Sequence, residues 1–147
     1  MAENIMKHID RISRGAELYR TGQLEQYGIN GRQSIYIQAI CRNPGISQDE
    51  LAAKLFVNKS NVARKAALLE ENGLITRRTS DADKRRLELY PTQQAADLLP
   101  AILEAVEQWN EIVCEGLCES EREMLTALLK RLSLKAAQAA EGGDRTP

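Results

Sequence analysis

The stretch that most restricts what this chain can become is residues 58–72, Asn-Lys-Ser-Asn-Val-Ala-Arg-Lys-Ala-Ala-Leu-Leu-Glu-Glu-Asn, with the glycine that follows it. At roughly 100° per residue, Val62, Ala66 and Leu69 fall on one narrow apolar stripe, while Ser60, Arg64 and Ala67 point the opposite way. Asn58 is placed to cap the start and Gly73 to stop the helix. The segment is thus a short surface helix of about four turns. It buries little, and it carries hydroxyl, amide and guanidinium donors near its N-terminal end.

The next residues change period. Leu74–Thr79 reads as a strand, Ser80–Lys84 as a turn, and Arg85–Tyr90 as a returning strand with Leu87 and Leu89 on one face. A hairpin with Lys and Arg at its tip, directly after a helix of donors, is a wing. Helix and wing together suit a surface that reads base edges in the major groove and touches phosphates beside it.

Upstream, Ile5, Ile9, Ile12, Ala16 and Tyr19 recur at spacings of four and three, a helical seam over residues 3–21. Gly22, Gly28 and Gly31 then punctuate a linker. Residues 32–42 put Tyr36, Ile37, Ile40 and Cys41 on one side of a second helix, which Pro44 forbids from continuing. Ser47-Gln48-Asp49-Glu50 has the form of a capping box, opening a helix to about Leu55 with Leu51, Ala52 and Leu55 inward. Downstream, Thr92 is placed to cap a long helix to about Leu117, with Leu99, Ile102, Val106, Trp109, Val113 and Leu117 on one side. Pro100 inside it predicts a bend near residues 96–100. A second capping box, Ser120–Glu123, opens a last helix through Leu125, Leu128, Leu132, Ala136 and Ala139 to about residue 140, leaving residues 141–147 as a frayed tail. The expected fold is mainly α with a small β-wing: a single domain over residues 1–147, in which a winged helix-turn-helix core (29–92) is flanked by dimerisation helices (3–21 and 93–140).

The formal net charge is −1, yet the charges are segregated. Residues 54–86 hold nine Lys/Arg against four Asp/Glu, a balance of +5, whereas residues 93–147 hold five against ten. A basic centre beside an acidic tail is the footprint of a nucleic-acid binder. No apolar run is long enough to span a membrane and no signal peptide opens the chain, so a cytoplasmic location is expected. Catalysis is not expected. His8 is the sole histidine, and neither a nucleophile constellation nor a phosphate-binding glycine loop is present. No metal or cofactor is expected. Cys114 and Cys118 read as buried dimer-helix residues or, alternatively, as a thiol or metal sensor, and Cys41 reads as core.

The series from Ile46 to Thr92, ISQDELAAKLFVNKSNVARKAALLEENGLITRRTSDADKRRLELYPT, resembles the winged-helix core of the MarR family of bacterial transcription regulators. The Asp83-x-Arg85 pair at the wing tip belongs to that resemblance, which covers residues 29–92. It implies a homodimer joined through its N- and C-terminal helices, bound to double-stranded DNA. A two-fold protein presents its recognition helices to successive major grooves, roughly 34 Å apart, on a near-palindromic site. The apolar surplus of the flanking helices points the same way.

The resemblance makes Arg85 a minor-groove residue held by Asp83, with a local ion pair in the turn as the alternative. It also marks Arg64 as a phosphate or guanine contact. Ser60 and Asn61 are groove contacts or bind their own backbone. Lys59, Lys65, Lys84 and Arg86 suit phosphates. Ala67 and Leu68 depart from the family pattern, where an acidic residue and an arginine are common. Effectors in the family, often phenolic or otherwise aromatic acids, lie between the dimer helices and the winged core; by position Arg11, Arg14, Tyr19, Tyr36 and Arg42 border such a pocket. The leading expectation is a ligand-released repressor. The competing ones are a winged-helix protein-interaction module that binds no DNA and a thiol- or metal-responsive sensor.

Overall fold

A computed structural model describes residues 3–143 and divides the chain into two units, Met1–Trp109 and Asn110–Pro147. The first unit starts with α1 (Ile5–Leu24), capped by the Asn4 side chain, which accepts from the Met6 N–H at 3.0 Å. This helix is a turn longer than its apolar seam suggests. Gly22 lies inside it rather than in a linker, and a 3₁₀ turn (Glu25–Tyr27) with Gly28 makes the connection instead.

α2 (Gly31–Arg42) opens with a reciprocal capping box, Asn30-x-x-Gln33, that the helix expected over residues 32–42 does not include: Asn30 accepts from the Gln33 N–H at 2.8 Å, and Gln33 accepts from the Asn30 N–H at 2.9 Å. Tyr36, Ile37 and Ile40 are buried as their spacing requires, and Cys41 packs against the same core. α3 (Gln48–Leu55) turns Leu51 and Ala52 inward. Its expected capping box is only half made. The Ser47 hydroxyl accepts from the Glu50 N–H at 3.0 Å, but the Glu50 carboxylate pairs with Arg86.

α4 (Lys59–Glu71) buries Val62, Ala66 and Leu69, the stripe read from the sequence. Asn58 precedes it without a side-chain cap bond; its carbonyl accepts from Asn61 and Val62 instead. At the other end Gly73, at φ +76°, allows the Leu74 N–H to reach the Leu69 carbonyl at 2.9 Å and the Gly73 N–H to reach Glu70 at 3.0 Å. That is a Schellman ending, with Leu69 and Leu74 both buried across it.

The sheet has three strands rather than the two expected. β2 (Ile75–Thr79) and β3 (Leu87–Pro91) pair antiparallel with Arg77 opposite Leu89, and the two-residue β1 (Ile46–Ser47) adds to the far side of β3, in the order β1-β3-β2. Leu89 is fully buried beneath it. The Thr92 hydroxyl donates to Gly73 and accepts from the Ala95 N–H, capping α5 (Gln93–Val113), which continues through Pro100. Ala95, Ile102 and Ala105 are its buried residues.

α5 ends at Val113, not Leu117, because the chain turns over Cys114–Gly116 with Gly116 at φ +89°. The two cysteines therefore do not share a helix face: Cys114 is half-buried in the turn and Cys118 is exposed. In the second unit Arg122 fastens this turn, donating to Cys114 O at 3.1 Å, Leu117 O at 3.4 Å and Glu111 at 3.2 Å. α6 (Glu119–Gly143) begins at Glu119, so Ser120 lies inside it and bonds the Cys118 sulfur at 3.1 Å instead of capping. Of the expected tail, Glu141–Gly143 extends α6 and residues 144–147 lie outside the described residues. Among the described residues no helix is long and apolar enough to cross a membrane.

Candidate nucleic-acid interface

The outer side of α4 and the wing tip carry most of the side chains singled out from the sequence, and the structure sorts them by what else they hold. Ser60 and Arg64 are exposed, and Asn61 and Lys65 are half-buried. The Arg64 guanidinium donates to the Asn61 side-chain oxygen one turn earlier, which fixes both side chains along the outer face. Lys59 lies 3.6 Å from Asp49, and both are well exposed. Such a surface pair contributes at most about 1 kcal/mol and exchanges easily for a phosphate.

At the wing tip, Asp83 acts on the main chain. Its Oδ1 accepts from the Arg85 backbone N–H at 3.0 Å, an Asx turn that leaves the Arg85 guanidinium outside the pair. Buried Ser80 completes the loop: its hydroxyl accepts from the Ala82 and Asp83 N–H groups at 3.3 and 3.4 Å, and its own N–H donates to the Arg86 carbonyl at 2.9 Å. Lys84 and Arg85 are exposed on this braced turn.

Arg86, expected to suit a phosphate, is engaged within the protein. Its guanidinium pairs with Glu50, donates to the Gly45 carbonyl at 3.4 Å and stands 3.8 Å from Glu88. The Glu50 carboxylate, bonded by Arg86, is held below its usual range, and the same bond raises Arg86. Two other basic residues of the window are also committed. Arg77 donates to Glu70 through its backbone N–H (3.0 Å), Nε (3.2 Å) and Nη2 (3.1 Å), which holds the Glu70 carboxyl below its usual range. Arg78 lies 4.9 Å from the centre of the Tyr90 ring. Glu70 is already counted in the +5 of residues 54–86, so it is the pairing of Arg86 with Glu50, outside that window, that lowers the free positive charge below it.

Sequence reasoning missed Glu50 and Glu70, which brace the wing from α3 and α4. The local signal is a carboxylate in the first turn of α3 and another in the last turn of α4, just before a basic hairpin; the pairing itself is tertiary.

The residues expected to border a ligand do not gather. Tyr36 alone lines a cleft of about 720 Å³ between α2 and α4, together with Arg32, Phe56, Arg64, Lys65 and Leu68. Burial raises the Tyr36 phenol. Tyr19 turns towards α5, with its hydroxyl 3.2 Å from Gln108 and its ring 5.5 Å from Trp109. Arg11 and Arg14 are exposed on α1, and Arg42 is the last residue of α2. Phe56 owes its place in the cleft to the turn between α3 and α4, where it takes the left-handed conformation at φ +58° and is left 58% exposed. A non-glycine residue in that region costs roughly 1–2 kcal/mol.

Comparison with known proteins follows the same outline. A family model described as "MarR family" matches residues 27–86. The HTH-type transcriptional regulator BilQ of Clostridium symbiosum is 30% identical over 115 residues, covering 78% of this chain and 80% of that protein. The uncharacterized HTH-type transcriptional regulator YybA of Bacillus subtilis is 27% identical over 129 residues, 88% of this chain and 86% of its own. Among solved structures, a putative MarR family transcriptional regulator from Listeria monocytogenes complexed with 26mer DNA superposes with a TM-score of 0.89 at 29% identity, covering 94% of this chain and 92% of that one.

Proposed function

The chain belongs to the MarR family of transcription regulators, and from that premise we propose that it works as a homodimeric repressor on a near-palindromic double-stranded DNA site, released by a small aromatic or phenolic acid. The observation that carries the DNA reading is the division of labour among the cations. Arg77 and Arg86 are paired with carboxylates of Glu70 and Glu50, whereas Arg64, Lys84 and Arg85 stand exposed on α4 and the wing tip with no carboxylate partner among the described residues. Asp83 and Ser80 brace the turn that holds Lys84 and Arg85, and among the described residues neither of these two cations has an ion-pair partner. A groove lined with phosphates supplies one. In this reading α4 lies in the major groove with Ser60, Asn61 and Arg64 toward the bases, Lys59 and Lys65 on phosphates, and Arg85 in the adjacent minor groove. The relative from Listeria monocytogenes, which carries DNA in its solved structure, supports that placement.

The test is binding of the wild type and Arg85→Ala to the DNA upstream of the protein's own gene across a salt series. Wild-type affinity is expected to fall by roughly 10³ to 10⁵ between 50 and 200 mM salt, as for six to ten phosphate contacts. Arg85→Ala is expected to cost about 1–3 kcal/mol. Binding that ignores salt and the substitution would return the winged core to a role in protein interaction.

For the effector, the cleft beside α4 offers two rings (Tyr36, Phe56) and two cations (Arg64, Lys65), besides Arg32, which pairs with Glu17 of the same lining at 3.5 Å; the set suits an aromatic ring bearing one carboxylate. A ligand there engages Arg64 and Lys65, which the DNA also needs, so the two compete or shift one another's populations. Titration with a panel of benzoates and phenols is expected to weaken DNA binding for at least one member. Unchanged affinity throughout removes the ligand and spares the DNA reading.

A further inference from the structure

Resting on the DNA-binding reading, we propose that Glu50 is a positioning residue: from the first turn of α3 it clamps Arg86 at the root of the wing loop and so aims Lys84 and Arg85 at the groove. Arg86 is well placed to receive such a clamp. Its N–H donates to the Asp83 carbonyl at 3.0 Å and its carbonyl accepts from the Ser80 N–H at 2.9 Å, so fixing its side chain fixes the loop that carries residues 84 and 85. Its guanidinium then reaches out of the wing to Glu50 and to the Gly45 carbonyl, both next to β1 and the start of α3. Glu50 is itself held, since its N–H donates to the Ser47 hydroxyl and Ser47 pairs with Glu88 of β3. The wing tip is in this way tied to the first helix of the helix-turn-helix, while Arg77 and Glu70 tie β2 to the second.

Electrostatics alone gives no reason for this pair on a surface that meets phosphates. The Glu50 side chain is 51% exposed, so its charge opposes a polyanion, and by binding Arg86 it withdraws a cation from the interface. A half-exposed ion pair adds little to stability. What it supplies is direction. A carboxylate that served only as a charge would lower DNA affinity, and removing it would raise that affinity; a carboxylate that aims the wing has the opposite effect on the specific site.

The sign of the effect is the test. Wild type, Glu50→Gln, Arg85→Ala and the double variant are compared on the specific site and on an unrelated duplex of equal length at one salt concentration, with thermal midpoints confirming that each is folded. Glu50→Gln keeps the shape of the side chain and removes the charge. It is expected to weaken binding to the specific site while binding the unrelated duplex at least as tightly as wild type. In its background, the factor lost on Arg85→Ala is expected to shrink by about threefold or more, the signature of two coupled residues. Equal Arg85→Ala factors in both backgrounds, or a Glu50→Gln protein that binds its site more tightly, overturns the clamp alone. Absence of binding by the wild type overturns the DNA reading and this role with it.

Discussion

Two glycines in neighbouring helices have opposite expected responses to the same substitution. Gly31 opens α2 against α1: its N–H donates to the Thr21 hydroxyl at 2.9 Å, and a Cβ placed on it would lie 2.4 Å from the Glu17 carbonyl oxygen. That oxygen is backbone and cannot swing aside, so Gly31→Ala forces α1 off α2. Overpacking of this kind costs about 1–3 kcal/mol, seen as a fall of several degrees in the thermal midpoint. Gly22 sits exposed within α1, where an added methyl would meet nothing within 4 Å. Gly22→Ala therefore relieves the conformational entropy of a mid-helix glycine and is expected to stabilise by about 0.5–1 kcal/mol. A neutral Gly31→Ala would mean that the close approach of the two helices is not required. The arginines teach the same lesson. Arg77, Arg78, Arg85 and Arg86 are one residue type in one hairpin, yet Arg77 and Arg86 are held by carboxylates, Arg78 lies exposed against the Tyr90 ring, and Arg85 faces outward.

At the level of elements, legibility tracked how local the cause is. α4 was readable because its stripe and its Schellman glycine lie close together in the chain, and the wing because strand, polar turn and strand follow one another directly. β1 was not, since two residues carry no period and Ile46 and Ser47 are a strand only because Leu89 and Glu88 lie opposite. α5 ends before the expected Leu117: Val113 and Leu117 keep helical spacing across the turn at Cys114–Gly116, and Gly116 is the stop signal in the sequence. The candidate interface divided along the same line. Which cations occupy the window could be read directly. Which of them are free depends on Glu70, Tyr90 and Glu50, and Glu50 lies 36 residues from the arginine it holds. Leu68, which departs from the family pattern, borders the cleft beside Tyr36 and Phe56.

For the whole molecule, the outstanding physical problem is apolar surface. α6 carries Leu125, Leu128, Leu129 and Leu132 at helical spacing, and each is about 40% exposed, while α1 exposes Ile5, Met6, Ile12 and Leu18. A leucine seam of four residues on a 25-residue helix is more than a monomer leaves in water without a partner. A second copy of the chain is the occupant that also suits two-fold DNA, because an isologous contact sets two α4 helices on one duplex. Replacing Leu128 and Leu132 by Glu places charge in the seam without touching any residue of the α4 face or the wing. The double variant is expected to elute as a monomer where the wild type elutes as a dimer, with mass read by light scattering. Its affinity for one half-site should match that of a wild-type subunit, since the reading surface is intact. On the full near-palindromic site it should fall by roughly 10² to 10⁴, because the second half-site is no longer delivered at high effective concentration. A wild type that is monomeric at micromolar concentration, or a double variant that keeps full affinity for the two-fold site, would show that the leucine seam serves some purpose other than pairing two recognition helices.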